Sequence, residues 1–245
     1  MIDEYPRHSE LDENQLVAHL PQSVREHFRA IMQIVELKSD QIIQLGGVPI
    51  GMVYFPITAV LSLVSILADG SSTELGMVGN EGMAGVPALL GTWAQPFEMV
   101  VQVPGTAYRM RSTALSHEAR NCAPLEVLLL RYTQAFLDQV AQGAACHSHH
   151  SLKQRLCRSL LTIDDSVQAD RFQLTQELLG RMLGVGRPSV SLAAESLQHA
   201  GLITYRRGAI TIIDRPGLEA TTCECYGFIR DRYDRLINSA RHVMQ

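Results

Sequence analysis

The sequence has no apolar run long enough to cross a membrane. Its most apolar stretch, residues 53–68, is interrupted by a proline, a threonine and two serines, whereas a membrane-spanning helix needs about 20 mostly apolar residues. The chain begins Met-Ile-Asp-Glu-Tyr and so lacks the basic and apolar segments of a signal peptide. We therefore expect a cytoplasmic protein with no membrane partner.

The signatures of common enzymes are also missing. There is no phosphate-binding P-loop, no nucleophile elbow and no HExxH metal motif. A metal-dependent β-barrel enzyme needs inward-facing histidines, and no histidine lies between His27 and His117. The adjacent carboxylates Asp164 and Asp165 fall in a polar link, residues 164–171, and are interpreted as solvated loop charges. The sequence thus predicts no enzyme, no catalytic residue and no cofactor.

Cysteine is scarce and occurs late in the chain. There are five cysteines and none precedes Cys122, so in a cytoplasmic protein they are expected to be reduced. Cys223 and Cys225 are two residues apart, which would point them to different faces of a helix as small buried hydrophobic residues.

Ligand-type side chains crowd the segment that ends at His150. If this segment is helical, Cys146 and His150 lie one turn apart and could share a zinc or copper ion. The simpler interpretation is a polar helix end, where histidines favour the helix dipole, and no metal site is predicted. A redox or metal role stays open for Cys146, Cys157, His147, His149 and His150.

Charge is distributed unevenly along the chain. Residues 1–150 carry 8 basic and 15 acidic residues, whereas residues 151–245 carry 13 basic and 10 acidic ones. The net charge is therefore −7 in the first part and +3 in the second. This asymmetry suits an acidic regulatory part joined to a part that binds nucleic acid.

The first half predicts a β-rich domain behind short helices. Residues 11–35 have helical periodicity, which Pro21 divides into two helices. Short β-rich runs separated by Gly, Pro, Asn and Asp then predict an antiparallel barrel or jelly roll. The predicted strands are Gln41–Leu45, Gly51–Phe55, Val60–Leu67, Glu74–Val78, Phe97–Val103 and Ala107–Met110.

A long helix is predicted from about Ala123 to His147, with Pro124 suited to its first turn. An apolar stripe along it could pack on the chain's own barrel or form a coiled-coil-like dimer seam. We interpret the stripe as a dimer interface. It contains Leu125, Leu128, Leu129, Tyr132, Phe136 and Val140. A further helix over Ser151–Ile163 and a final helix over Pro216–Asn238 complete the α-helical elements.

Residues 174–199 have the spacing of a helix-turn-helix. Thr175 is suited to cap a helix over Gln176–Leu183, and a second helix is predicted over about Arg187–His199. Gly180 allows the two helices to approach each other, and Gly184 ends the first one with a positive φ.

A basic hairpin follows the second helix directly. Residues 201–213 read as two strands joined by the turn Arg206-Arg207-Gly208. A hairpin in this position, with arginines at its tip, is typical of a wing that contacts phosphate. The pattern predicts a winged helix that binds double-stranded DNA. The alternative is a β-barrel sensor whose winged helix mediates contact with another protein.

These elements together resemble the Crp/Fnr family of bacterial transcription regulators. The resemblance covers nearly the whole chain and is strongest over residues 174–214. It includes a run that looks like the glycine-rich turn of the family's sensor domain, Gly79-Asn-Glu-Gly-Met-Ala-Gly85. It implies a homodimer on palindromic promoter DNA, with an effector at the barrel and RNA polymerase as a further partner.

The implied fold is α+β and has three segments. Residues 1–121 would form a cyclic-nucleotide-binding-like jelly-roll sensor, residues 122–150 a long dimerisation helix, and residues 151–245 a C-terminal winged helix-turn-helix domain.

The chain departs from the family where the effector would bind. Members that bind cyclic AMP follow the glycine with glutamate and place an Arg-Ser or Arg-Thr pair further on. Here Val86 follows Gly85, the later region reads Gln-Pro-Phe-Glu over residues 95–98, and no arginine lies between Arg29 and Arg109. A buried phosphate without a cation is costly. The resemblance therefore predicts an apolar effector or an empty pocket, and the cofactor-binding residues stay unassigned.

The helix-turn-helix residues suggest specific roles on DNA. Arg187 opens the second helix and is expected to read guanine in the major groove. Pro188 replaces an often acidic residue, and Leu192 is placed to meet a thymine methyl group. The other expected DNA contacts are Thr175, Gln176, Ser189, Ser191, Arg206 and Arg207.

Overall fold

The structure is a computed structural model that describes residues 13–92, 94–167 and 171–238, apart from the side chains of Leu236 and Asn238. The acidic N-terminal start and the centre of the polar link at residues 168–170 lie outside the described residues. None of the described helices is long and apolar enough to cross a membrane.

Two short helices begin the described chain, α1 (Gln15–Ala18) and α2 (Gln22–Ile31). Pro21 is the N-cap of α2, which confirms the predicted division at this residue. The side-chain oxygen of Asn14 accepts a hydrogen bond from an amide of the first turn of α1 and so caps that helix.

The first half of the chain then forms two antiparallel sheets. The first contains, in spatial order, β1 (Gln33–Leu37), β7 (Gly105–Arg111) and β3 (Met52–Pro56). The second contains β2 (Ile42–Gln44), β6 (Glu98–Val103), β4 (Val60–Ile66) and β5 (Ser72–Val78). Leu61, Val78 and Val101 of the second sheet and Ala107 of the first are buried in one core. This confirms the predicted jelly-roll-like architecture, and we keep the name sensor for this part of the chain. Strand β1 was not predicted, and the helical prediction for residues 11–35 is wrong over residues 33–35, which belong to this strand. Only Leu37 of its residues is fully buried, so the strand lacks the alternation that would indicate it.

Two helices leave the sensor, α3 (Ser112–Asn121) and α4 (Ala123–His149). Pro124 lies in the first turn of α4, as predicted. The predicted dimer stripe, however, faces the chain's own interior. Leu125, Leu128, Leu129 and Tyr132 are at most 2% exposed in the single chain and pack in the core shared with α1 and α2.

These four residues therefore offer no exposed apolar surface to a second copy, because the chain itself already covers them. Phe136 and Val140 are half-buried, and Phe136 packs against the sensor core.

The second half of the chain forms the winged helix. Its elements are α5 (Leu152–Val167), β8 (Arg171–Gln173), α6 (Gln176–Leu183), α7 (Arg187–His199), β9 (Ile203–Arg206) and β10 (Ala209–Ile212). Helices α6 and α7 have the bounds that the sequence predicts. Helix α5 continues past the predicted end and includes Asp164 and Asp165. These carboxylates are not solvated loop charges, because both pair with Arg215.

The predicted final helix is divided in two, α8 (Arg215–Thr221) and α9 (Cys225–Asn238). Asp214 caps α8 by accepting from the Gly217 amide, and the backbone is extended at Thr222. Helix α9 then packs back against α4. Arg232 pairs with Asp138 of α4, and the ring of Tyr233 lies 6.2 Å from that of Tyr132.

Candidate DNA-binding surface and sensor pocket

The helix-turn-helix forms through the local interactions that the sequence predicts. The Thr175 hydroxyl accepts a hydrogen bond from the Leu178 amide at 3.2 Å, which satisfies one of the free amides at the start of α6. Gly184 has φ +62° at the end of this helix. At Gly180 an added Cβ would lie 2.8 Å from the Val185 carbonyl oxygen, so glycine is needed for the close approach of the two helices.

Gln176 joins the start of α6 to the first turns of α7. Its side-chain oxygen accepts from Arg187 Nε at 3.1 Å and from the Ser191 hydroxyl at 3.0 Å. Ser191 Oγ also lies 3.1 Å from the Arg187 carbonyl oxygen. The Ser191 hydroxyl is therefore engaged within the protein, whereas only Nε of the Arg187 guanidinium is committed to Gln176.

One side of α7 is left open to solvent. Arg187, Pro188 and Ser189 in its first turn are exposed. Leu192 follows about one turn later and is 69% exposed. This exposed leucine gives the surface an apolar point of the kind that contacts a thymine methyl group.

The wing is a tight hairpin with arginine at its tip. Arg206 pairs with Ala209, so Arg207 and Gly208 form a two-residue turn, with φ +52° and +76°. Both values are positive, as a type I′ turn requires. Arg206 and Arg207 are exposed.

A groove of about 440 Å³ separates the wing from the helix-turn-helix. It is lined by Thr175, Gln176, Glu177, Arg187, Tyr205, Arg207 and Gly208. The groove thus brings together four of the predicted DNA-contact residues, and the other five do not line it. The four are Thr175, Gln176, Arg187 and Arg207, and the five are Pro188, Ser189, Ser191, Leu192 and Arg206.

The sequence did not point to Tyr205 in this groove or to a third strand beside the wing. Tyr205 lines the groove and donates a hydrogen bond to the Leu174 carbonyl at 2.8 Å. Exposed Arg171 lies on β8, which adds a third strand to the wing by pairing with β10. The exposed–buried–exposed order of residues 171–173 is a strand signal, but it is too short to be distinguished from a linker.

The sensor contains a cavity of about 250 Å³ beside the glycine-rich turn. Its lining is mainly apolar and includes Leu63, Met83, Val86, Phe97, Met99 and Phe136, with Thr92 and Gln95 as polar residues. None of the described lining residues is charged. The cavity therefore has neither the carboxylate nor the cation that a cyclic nucleotide would need.

The glycine-rich turn contacts the helices that lead to the winged helix. Gly85 has φ +108°, and an added Cβ there would lie 2.7 Å from Val53. At Gly82 a Cβ would collide with the ring of Tyr132, whose hydroxyl donates to the Met83 carbonyl at 2.8 Å. At Gly79 it would collide with Ser166 of α5. The turn thus lines the cavity on one side and contacts helices α4 and α5 on the other.

The winged helix also rests directly on the sensor. Arg181 of α6 pairs with Asp40 in the β1–β2 turn, and the side chain of Thr73 on β5 lies beside Gly184. Val60, Met77 and Val103 of the sensor share a core with the winged helix. The contact involves α6, and the outward face of α7 remains exposed.

Outside its buried stripe, α4 has a second apolar face that is exposed. Leu130 is 52% exposed and Leu137 is 60% exposed, and Ala141 and Ala144 continue the same side of the helix. These residues recur at intervals of seven, four and three, which keeps them on one face. We call Leu130, Leu137, Ala141 and Ala144 the outer stripe.

Most of the cysteines and histidines that could bind a metal ion are dispersed, but one group lies together. Cys157 is buried in the winged-helix core, and His149 is exposed. His147 Nδ1 lies 2.8 Å from the Gly143 carbonyl oxygen, and burial lowers the pKa of this histidine. Cys146 and His150, by contrast, lie together with Cys223 and Cys225. Cys223 and Cys225 are both buried, as the sequence predicts, but they do not lie on one helix, because Cys223 precedes α9 and Cys225 opens it.

Comparisons with known proteins agree with this architecture. Residues 154–221 match the family model described as the Crp-like helix-turn-helix domain. Among curated proteins, none matches the sequence.

Solved structures match almost over their full length. FixK2 from Bradyrhizobium japonicum is 16% identical, with a TM-score of 0.67 over 79% of this chain and 98% of that chain. A transcriptional regulator of the CRP family from Thermus thermophilus is 21% identical, with a TM-score of 0.63 over 76% and 95%. CLP, the c-di-GMP-responsive regulator of Xanthomonas campestris, is 16% identical, with a TM-score of 0.60 over 78% and 99%.

The chain therefore contains a Crp-like helix-turn-helix domain and has the fold of the Crp/Fnr transcription regulators. This confirms the resemblance noted in the sequence and the α+β fold class. Of these three structures, one is described as a transcriptional regulator and one as a global regulator, and neither description names an enzyme activity.

Proposed function

We propose that this chain, which has the fold of a DNA-binding transcription regulator, binds palindromic promoter DNA as a homodimer. The observation that carries the proposal is the exposed face on which the first turn of α7 and the arginine-tipped wing lie on either side of one groove. In such an arrangement the recognition helix contacts base edges in the major groove, and the basic wing contacts backbone phosphates.

Each residue of this face has a proposed role. Arg187 reads guanine and Leu192 meets a thymine methyl group, while Pro188 shapes the first turn without offering a hydrogen bond. Ser191 acts indirectly by holding Gln176. The proposed phosphate contacts are Thr175, Gln176, Ser189, Arg206 and Arg207.

The dimer forms, in this proposal, through the outer stripe of α4. Its leucines are exposed although they are apolar, and burying such a stripe against a second copy is the favoured use of a coiled-coil-like seam. Residues 122–150 would then be the dimerisation helix between a sensor at 1–121 and a DNA-binding part at 151–245. The half-sites would lie about one helical turn of DNA apart.

The sensor pocket takes an apolar effector in this proposal. Its lining offers dispersion contacts and two polar side chains but no charge to pair with a phosphate. The glycine-rich turn touches both Tyr132 and Ser166, so a ligand that displaced the turn would act on α4 and α5 together. CLP is described as responsive to c-di-GMP, a charged ligand that this lining does not suit.

Selection of bound sequences from random DNA, followed by salt titration, tests the proposal. We expect a palindromic site whose log affinity falls linearly with log salt concentration. Arg206→Ala combined with Arg207→Ala should weaken binding to all sequences similarly and reduce the salt slope by up to about 1–2 per half-site. The matched control is Arg111→Ala with Arg120→Ala, which removes two exposed sensor arginines and should leave the slope unchanged.

Equal salt slopes for the two double variants would show that the wing does not contact the DNA. Failure to select any sequence would favour the other candidate function, a sensor whose winged helix contacts a protein. Contact with RNA polymerase stays a prediction from the family resemblance.

A further inference from the structure

Three cysteines and one histidine meet where the end of α4 contacts the α8–α9 junction. Cys146 and His150 lie one turn apart at the end of α4, and Cys223 and Cys225 come from the segment that opens α9. One ligand atom from each of the four residues lies within 4.8 Å of all the others. The three cysteines are buried and form a small cluster apart from the sensor and winged-helix cores.

Two distances within this cluster are close to those around a tetrahedral ion. The sulfurs of Cys146 and Cys223 are 3.6 Å apart, and Cys225 Sγ is 3.5 Å from His150 Nδ1. With metal–sulfur bonds of about 2.3 Å and metal–nitrogen bonds of about 2.0–2.1 Å, a regular tetrahedron needs about 3.75 Å between two sulfurs and about 3.55 Å between sulfur and nitrogen. A cluster of free thiols held only by weak S–H hydrogen bonds has no need of this geometry.

The surroundings have the features of a metal site's outer shell. His150 Nε2 lies 3.2 Å from Glu224 Oε2, which leaves Nδ1 toward the sulfurs and reproduces the carboxylate–histidine–metal arrangement. Gln142 Nε2 donates to Cys225 Sγ at 3.1 Å.

Charge is also balanced at this point. Three thiolates around a divalent cation carry a net negative charge. The guanidinium of Arg158 is buried and close enough to interact electrostatically with Cys146. Its Nε has no hydrogen-bond partner among the described residues. Arg158 also interacts electrostatically with Glu74, and a negatively charged metal–thiolate centre would add a second counter-charge.

We propose that Cys146, His150, Cys223 and Cys225 bind one zinc ion as a Cys₃His structural site. Binding converts three thiols to thiolates and releases up to three protons to the solvent, with no change of oxidation state. The ion would fix the start of α9, which follows the winged helix in the chain, to the end of α4. It therefore sets how the DNA-binding part is held on the long helix.

Metal analysis and cobalt substitution of the full chain test this site. We expect about one zinc per chain after purification under reducing conditions. Replacement by Co²⁺ should give thiolate-to-cobalt charge-transfer absorption and the intense visible bands of a tetrahedral site. Cys223→Ser should abolish both signals, whereas Cys157→Ser, which changes a buried cysteine outside the cluster, should keep them.

A gentler variant separates metal binding from folding. Glu224 is 78% exposed, so Glu224→Gln should fold normally, yet it should weaken zinc affinity by about 10- to 100-fold through His150. A matched exposed control is Glu195→Gln on α7. Absence of cobalt binding by the native chain would overturn the proposal. So would unchanged affinity in Glu224→Gln, or a Cys146–Cys223 disulfide in the native chain as purified under reducing conditions. None of these measurements depends on DNA binding.

Discussion

At the scale of single residues, Arg187 is the strongest test of base reading. Its Nε is bonded to Gln176, which leaves the two terminal nitrogens to meet a guanine edge. Arg187→Ala should cost about 1–3 kcal/mol of binding free energy and relax preference at one base pair in each half-site. Competition binding with the selected site and its single-base variants measures this. An equal loss on every sequence would instead make Arg187 a phosphate contact.

Glu74, like Glu81, is a carboxylate whose raised pKa should make the stability depend on pH. It is buried on β5, and desolvation raises its pKa to about 7 against the opposing effects of the Ser62 hydrogen bond and Arg158. Between the ordinary pKa of 4.5 and the raised value of about 7, the folded chain retains a proton that the unfolded chain has lost. The folded state is therefore favoured most on the acid side of this window, and this contribution is lost as pH rises through the raised pKa.

Glu74→Gln keeps the shape and removes the charge. We expect it to raise the free energy of unfolding above pH 7 by up to about 3 kcal/mol and to flatten the pH dependence between 4.5 and about 7. Urea unfolding at several pH values measures both effects. Glu195→Gln, an exposed control, should follow the native curve. A native-like slope in Glu74→Gln would show that another group carries the pH dependence.

At the scale of elements, the sequence predicts best where local chemistry decides the structure. Thr175, Gly180 and Gly184 determine the start, crossing and end of the helix-turn-helix through a cap, a close approach and a positive φ, and all three roles are observed. Pro21 divides the N-terminal helices for an equally local reason. The strands β1 and β8 were missed because they are short and mostly exposed, so their positions depend on pairing with distant partners.

Helix α4 shows why a stripe alone does not identify its partner. The periodicity of its apolar residues predicts a buried face, but tertiary packing decides what covers it. Here the wide stripe is covered by the chain itself, and the narrower outer stripe is left exposed. The cysteine cluster was likewise unpredictable, because Cys146 and Cys223 are 77 residues apart and meet only when α9 folds back.

Two variants of α4 distinguish its two faces. Leu137→Glu changes an exposed residue of the outer stripe, so it should give a folded monomer with weak binding to the palindromic site. Leu129→Glu buries a charge inside the protomer, and it should instead lower the free energy of unfolding by about 3 kcal/mol or more. Sedimentation and thermal unfolding of both proteins measure this contrast. A Leu137→Glu protein that remains dimeric would exclude the outer stripe as the seam.

At the scale of the whole molecule, sensor and winged helix form a continuous structure. The glycine-rich turn touches α4 and α5, Arg181 pairs with Asp40, and α9 returns from the winged helix to α4. A ligand in the sensor cavity could therefore alter DNA affinity only by stabilising one arrangement of these contacts more than another. The chemistry of the cavity decides which ligands are able to do so.

Cyclic AMP should have no effect on this protein. Its phosphate would enter a cavity lined by Val86, Phe97 and other uncharged residues, where a buried anion without a cation is unfavourable by several kcal/mol. Cyclic AMP at millimolar concentration should leave both the melting temperature and the affinity for DNA unchanged. A small apolar ligand that fills the cavity should instead stabilise the folded chain by RT ln(1 + [L]/Kd) and so raise its melting temperature. A saturable shift of the melting temperature with cyclic AMP would contradict this prediction. Loss of that shift in Arg109→Ala would then identify Arg109 as the cation that pairs with the phosphate. Val86→Glu, which restores the carboxylate but no cation, should still fail to bind the nucleotide, because the phosphate would remain unpaired.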